Sequence, residues 1–448
     1  MQAKENVAKE IEGELDTQAT TAKQHAHSVD ELEKALIKTH KAQEYMVSGK
    51  AGSLDRWLVK TMLEFAGNPP LSVRIWDGSI IEINSEQHKS LLTINDRAAM
   101  IKLILEPELF FGDLYSSGRI EYDGDLVKLC ESIYTSIDEP RENHLWSKIT
   151  RWLSNRRIVN SLSASRDNIY HHYDISNDFY KLWLDTEAMQ YTCAYFPDPE
   201  LTIEQAQVAK LHHVCRKLQL QPGDKVVEAG CGWGGLARFM AKHYGVTVKA
   251  YNISHAQVQY ARQQAEKEGL SDKVEYIEDD YRNIKGKFDV FVSVGMLEHV
   301  GDKHYMVLGD VIQRCLKKDG RGLIHSIGRV SPKPMNAWIE RRIFPGAYPP
   351  SLQEMMNIFE PHNLEEQDVE NLRLHYAKTL EHWLSRFEYN IDTIKEMLGE
   401  EFIRTWRLYL AGSIAAFTTG ELQLFQILFN RQGYNKLPWS RAYMYAGN

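Results

Sequence analysis

Long apolar runs are missing from this chain: no stretch of about eighteen uncharged apolar residues occurs, so no membrane-spanning helix is expected. Cysteine is scarce. The five present (Cys130, Cys193, Cys215, Cys231, Cys315) are odd in number, scattered and free of any C-x-x-C pair, which excludes a disulfide frame and a zinc site and suits a reducing cytoplasm. The opening MQAKENVAKEIEGELD has no apolar core of the kind a secretory signal needs. An excess of basic charge is lacking too: the formal net charge of −8 argues against a nucleic-acid partner. His171 and His172 stand without further ligands at metal spacing, so no metal site is expected.

The chain's 448 residues suffice for two or three domains with a sizeable core. Residues 1–50 are polar and nearly free of aromatics, and read as a helical or disordered extension. Residues 51–137 read as a small α+β domain. In it DRWLVKTMLEFAG sets Trp57, Leu58, Met62 and Phe65 on one helical face, and LSVRIWDGSIIEI turns as a hairpin at Asp77-Gly78. Residues 138–165 form a basic-aromatic linker. Its Arg and Lys, interleaved with Trp146, Ile149, Trp152 and Leu153, fit either a solvated helix or a stripe lying on an anionic bilayer.

From about residue 166 the catalytic domain is expected. KVVEAG, VTVKAYNI, VEYIEDD, FDVFVSV and RGLIHSI read as strands separated by helices, which specifies a mostly parallel sheet covered on both faces, with ELQLFQILFN as the closing strand. The stretch VVEAGCGWGG places Gly230, Gly232, Gly234 and Gly235 directly after the first of these strands. Loosely this satisfies the dinucleotide fingerprint, yet no carboxylate ends the second strand to grip a ribose, and Glu228 would repel a pyrophosphate. A carboxylate there suits a cationic, phosphate-free ligand such as S-adenosylmethionine. Asn252 and Gln257 offer uncharged partners for ribose hydroxyls, and Asp280-Tyr281 ends the third strand where an adenine edge would lie.

EAGCGWGGLA, NISHAQ, DDYR, MLEHVG and IHSIG, in this order, together with HHYDISNDFYKLWLD, MQYTCAYF and HYAKTLEHW, resemble the cyclopropane-fatty-acyl-phospholipid synthase family and its mycolic-acid methyltransferase relatives. The resemblance implies a class I S-adenosylmethionine-dependent methyltransferase fold, Rossmann-like, beside the smaller N-terminal domain. It adds Tyr191, Thr192, Gly234 and Ser254 to the cofactor set. It further implies methyl transfer to a cis double bond of an unsaturated acyl chain in membrane phospholipid, with ring closure by proton loss to a bound bicarbonate. The cradle for that ion would be Cys193, Glu298, His325, Ile327 and Tyr376, with Cys193 and Ile327 contributing backbone N–H groups and Glu298 pairing with His325. A cytoplasmic enzyme at the inner leaflet, homodimeric in its full-length relatives, is the corresponding expectation. Two positions depart from the family pattern, which commonly has threonine at Asn252 and glutamine at Asp280. The segment 329–352, with Lys333, Arg341 and Arg342 among aromatics, is expected at the acyl entrance against lipid headgroups. A methyltransferase giving methyl-branched or methylene chains, or acting on a small amine, is the alternative. An inert lipid-binding scaffold would not need both the cofactor turn and the cradle.

Overall fold

The computed structural model describes residues 49–66, 68–82, 90–137 and 176–446. Residues 1–48 of the N-terminal extension, the basic-aromatic linker and the His171-His172 pair therefore lie outside the described residues. The chain divides into two compact units, residues 1–107 with 119–124, and residues 108–118 with 125–448.

In the smaller unit, α1 (Ser53–Phe65) buries Leu58, Val59 and Leu63, whereas Trp57 is 36% exposed and lies off the buried stripe. Strands β1 (Ser72–Ile75) and β2 (Ile80–Ile81) form the expected hairpin, its turn held by Ser79 donating to Asp77. β1 also pairs in parallel with β3 (Leu91–Ile94), which pairs antiparallel with β4 (Ile120–Asp123). The buried helix α2 (Arg97–Leu105) is capped by Asp96, whose side chain accepts the Ala99 N–H.

The larger unit holds a seven-stranded sheet. Five strands are parallel: β5 (Lys225–Ala229), β6 (Thr247–Asn252), β7 (Val274–Glu278), β8 (Phe288–Val294) and β9 (Leu316–Gly328). β10 (Leu364–Asn371) and β11 (Gln423–Arg431) join antiparallel, giving the order β10-β11-β9-β8-β5-β6-β7. The pattern of the parallel strands is as the sequence predicts; β10 is not predicted. LEEQDVEN carries four acidic residues, which suits an edge strand exposed to water but hides it from a search for apolar runs.

The described helices of this unit are α3 (Pro107–Ser116), α4 (Leu126–Ile137), α5 (Asn177–Lys181), α6 (Ile203–Lys217), α7 (Gly235–Tyr244), α8 (His255–Lys267), α9 (Tyr305–Cys315), α10 (Leu352–Met355), α11 (Arg373–Tyr389), α12 (Ile391–Leu398) and α13 (Glu400–Thr419). Two apolar cores result, one on each face of the sheet, with Val226 and Val292 pointing to one and Val227 and Phe291 to the other. Because β5 lies between β6 and β8, the chain reverses direction across the sheet at the end of β5, where open α/β sheets bind ligands. Among the described residues, no helix is long and apolar enough to cross a membrane.

Candidate active site

The glycine turn leaves β5 through Gly230, Gly232 and Gly234, with φ of +81°, +53° and +76°. The Gly230 and Cys231 N–H groups both donate to the Tyr251 carbonyl on β6, at 2.9 and 3.1 Å. A Cβ at Gly230 would lie 2.7 Å from Met296 Cβ, so both conformation and space require glycine there. The turn opens into a cleft of about 130 Å³ at the carboxyl ends of β5, β6 and β8.

Tyr191, Thr192, Glu228, Gly230 and Gly232 line this cleft, as do Asn252, Gln257, Asp280 and Tyr281. Gly234 and Ser254 are not among its lining residues. They are N-caps instead: Gly234 in left-handed conformation starts α7, and the Ser254 side chain accepts the Gln257 N–H that starts α8. Asn252 Nδ2 donates to Gly232 O (3.1 Å) and Gln257 Oε1 (2.8 Å), tying the second strand to the turn. Asp280 is gripped by Arg282 through two 2.8 Å hydrogen bonds, so its charge is locally neutralised. The cleft also contains Met189, Gln190, Trp233 and His299, which sequence reasoning missed. Trp233 stood inside the turn motif and was readable; its Nε1 donates to Asn177 at the start of α5.

Glu228 is 2% exposed, and among the described residues its Oε2 has no hydrogen-bond partner. Burial pushes its pKa up to about 8, against the pull of the Lys210 and Arg238 charges. An orphaned acidic oxygen at the floor of a cleft is a fitted seat for an ammonium, the group that the methionyl end of S-adenosylmethionine carries.

A second cluster stands at the ends of β8 and β9. Glu298, on the turn Leu297–His299, is 8% exposed, and burial pushes it up to about 7. Its Oε1 accepts the Ile327 N–H at 2.6 Å. The Ile327 amide, which the resemblance assigns to a bound ion, is thus engaged by the Glu298 carboxyl group. Glu298 does not pair with His325: His325 Nδ1 meets Gln426 Nε2 at 3.1 Å. If the amide donates there, the proton of His325 sits on Nε2. Burial holds His325 well below the ordinary histidine range, and hence neutral. Among the described residues, His325 Nε2 and Glu298 Oε2 are both buried without hydrogen-bond partners, one a donor and the other an acceptor.

Cys193 and Tyr376 reach the same end of the sheet by another route. The Ala194 N–H donates to Thr379 Oγ1 and the Phe196 N–H to His375 Nδ1, fixing the 193–196 loop to the first turns of α11, while the Leu372 N–H donates to Leu424 O on β11. The Cys193 thiol donates to Ala194 O, and burial raises its pKa far above the ordinary thiol value, so it is no nucleophile. Tyr376 stacks on Phe417 with centroids 4.5 Å apart and meets the edge of Trp383. From there an aromatic wall runs through Trp383, Trp183, Tyr191 and Trp406 to Tyr409 and Phe344. Tyr191 and Tyr409 share a 2.9 Å hydroxyl contact.

In segment 329–352 the aromatics Trp338 and Tyr348 are buried. Arg342 makes two hydrogen bonds to Asp113 on α3, at 2.9 and 2.7 Å, and Lys333 pairs with Glu421. Two of the cations expected to face headgroups are therefore engaged within the protein.

A glycine turn with a buried carboxylate before it, on a seven-stranded sheet closed by an antiparallel strand, defines a class I S-adenosylmethionine-dependent methyltransferase. Solved structures agree. The cyclopropane synthase MmaA2 from Mycobacterium tuberculosis matches with a TM-score of 0.57 and 26% identity, over 60% of this chain and 99% of that one. Mycolic acid cyclopropane synthase CmaA1 complexed with SAH and CTAB matches at 0.57 and 29%, over 59% and 97%. Residues 160–427 match the family model for mycolic acid cyclopropane synthetase, and the chain belongs to that family. Residues 58–144 match a domain of unknown function. A probable fatty acid methyltransferase of Pseudomonas putida is 36% identical over 84% of this chain and 96% of its own length. The cyclopropane-fatty-acyl-phospholipid synthase of Escherichia coli K12 is 36% identical over 76% and 87%.

Proposed function

We propose that this methyltransferase acts on a cis double bond within an unsaturated acyl chain of membrane phospholipid, and closes a cyclopropane ring. The observation that carries this reading is the pair of buried atoms left unmet among the described residues, Glu298 Oε2 and His325 Nε2, at neighbouring strand ends. S-adenosylmethionine supplies an electrophilic methyl group on a sulfonium. Glu228 anchors the donor's ammonium, while the glycine turn and Asn252 fix its position. Tyr191 carries the wall of the donor cleft into the aromatic cluster, which keeps water from a chain on which positive charge develops. An alkene is a weak nucleophile, so holding it in line with the methyl group contributes much of the rate.

Ring closure needs a proton removed from the transferred methyl group. His325 would donate through Nε2, and Glu298 would accept through Oε2, to hold a hydrogencarbonate, whose chemistry is that of a base without apolar bulk. Cys193 and Tyr376 complete the surroundings. Substrate in a bilayer places the enzyme at the cytoplasmic membrane surface, and the engaged Arg342 and Lys333 direct attention to other surfaces for that contact.

Incubating the enzyme with vesicles of cis-monounsaturated phospholipid and S-adenosylmethionine, then taking proton NMR of the extracted chains, tests the reading. Upfield ring-methylene protons are expected. Methyl-branched or methylene products would instead favour the second reading, which the match to a probable fatty acid methyltransferase supports.

A further inference from the structure

Lys210, in the middle of α6, has no solvent exposure. Its Nζ donates to Gln190 Oε1 at 2.5 Å and to Thr192 Oγ1 at 2.9 Å. Both acceptors belong to the 189–192 segment that walls the cleft. One turn earlier on the same helix, Gln207 Nε2 donates to Thr192 O at 2.8 Å. From the other side the Asp185 carboxylate accepts the N–H groups of Ala188, Met189 and Gln190, at 2.8, 3.0 and 2.7 Å. Met189 has φ +52°, a conformation that must be imposed on a residue with a long side chain.

This wall abuts the glycine turn. A Cβ on Gly235 would collide with Ala188 O and lie 2.7 Å from Gln190 Nε2. Across the cleft, a Cβ on Gly295 would come within 2.8 Å of Thr192 Cγ2. A shift of the wall by a few tenths of an ångström therefore alters the cleft on both sides.

A buried ammonium is expensive to keep. Among the described residues, both oxygens that Lys210 meets are neutral, and no carboxylate lies within ion-pair distance of its Nζ. The charged and titratable groups that feel it are Asp185, Glu228, Cys193, Cys215 and His325. A methionine would fill the volume at less cost, so packing does not account for a lysine here.

We propose that Lys210 is a positioning residue of the donor cleft: its ammonium holds Gln190 and Thr192 so that the 189–192 wall closes on the glycine turn in the geometry that binds the methyl donor. This rests on the assignment of the cleft to the donor.

The test measures S-adenosylhomocysteine affinity by calorimetry in the parent protein, Lys210→Met, Thr192→Val and the double variant, alongside melting temperature and steady-state rates. Lys210→Met should weaken affinity at least tenfold and raise KM for the donor. Its kcat at saturating donor should change less than about threefold. Thr192→Val should add little in the Lys210→Met background, because the clamp it serves is already gone. Undiminished affinity in Lys210→Met, or losses that simply add, would overturn the proposal. If Lys210→Met does not fold, Lys210→Gln decides: a several-fold affinity loss at unchanged melting temperature supports the clamp, and parental affinity overturns it. Failure of the cleft assignment looks different, since Glu228→Ala would then also bind like the parent.

Discussion

Replacing Glu228 by glutamine separates two consequences of burying a carboxyl group at the donor cleft. In the ligand-free protein this carboxyl binds its proton up to about pH 8, against an ordinary value of 4.5. Its folded pKa is raised, so stability falls as pH climbs from 4.5 toward 8, and the full penalty is present above that. Each pH unit of that interval costs about 1.4 kcal/mol, so at pH 7 the penalty is about 3 kcal/mol. Glutamine keeps the shape and never ionises. The Glu228→Gln protein should therefore be more stable than the parent at pH 7, by about 2–3 kcal/mol, with the difference vanishing below pH 4.5. Donor binding moves the other way. Loss of a charge-assisted hydrogen bond to the ammonium costs about 2 kcal/mol, or roughly thirtyfold in affinity near pH 8. Because roughly nine-tenths of the parent carboxyl is protonated at pH 7, binding should release close to one proton, and the variant none. Calorimetry with S-adenosylhomocysteine in buffers of different ionisation enthalpy reads that proton directly. A parent protein that releases no proton, together with a variant of equal affinity, would refute the role assigned to Glu228.

Gly230→Ala should weaken donor binding at least tenfold and destabilise the turn by about 1–3 kcal/mol, because φ is +81° and Met296 occupies the Cβ position; calorimetry and thermal melting check both. Glu298, pushed up to about 7, accepts the Ile327 N–H through Oε1, so its proton would sit on Oε2 and turn that atom into a donor, and kcat should fall as pH drops through 7. Glu298→Gln should remove that limb and most turnover while leaving donor affinity within about twofold. Glu370 is held at about 2 despite partial burial, by His213 and by Lys217 at 2.6 Å. Its folded pKa is lowered, so this stabilisation is present above 4.5 and lost as pH falls toward 2. Glu370→Gln should destabilise the protein by about 3 kcal/mol at pH 7 and by little at pH 2, as followed by circular dichroism.

The donor half of the site was legible because its signals are local. Glycines follow an apolar strand, a carboxylate stands where a pyrophosphate would be repelled, and amides occupy the second strand's end. Gly234 and Ser254 carry the same local signal and cap α7 and α8, since a cap and a ligand contact favour the same small residues. The second cluster was legible only as a set of residues. Which hydrogen bonds they make depends on tertiary neighbours: the return of β11 puts Gln426 on His325, and the turn after β8 puts Glu298 on the Ile327 N–H. Lys210 left no trace at all. In IEQAQVAKLHHVCRK it reads as one more charge on an amphipathic helix, and only the tertiary packing of α6 shows that its charge is buried.

Methyl transfer followed by proton loss from the transferred carbon is tested most directly with S-adenosylmethionine bearing a trideuterated methyl group. After reaction with cis-monounsaturated phospholipid vesicles, mass spectrometry of the released acyl chains should show two deuterons retained on the added carbon, with ring methine protons upfield in the proton spectrum. Chains that keep all three deuterons, or that gain no carbon while the donor is bound, would contradict the account.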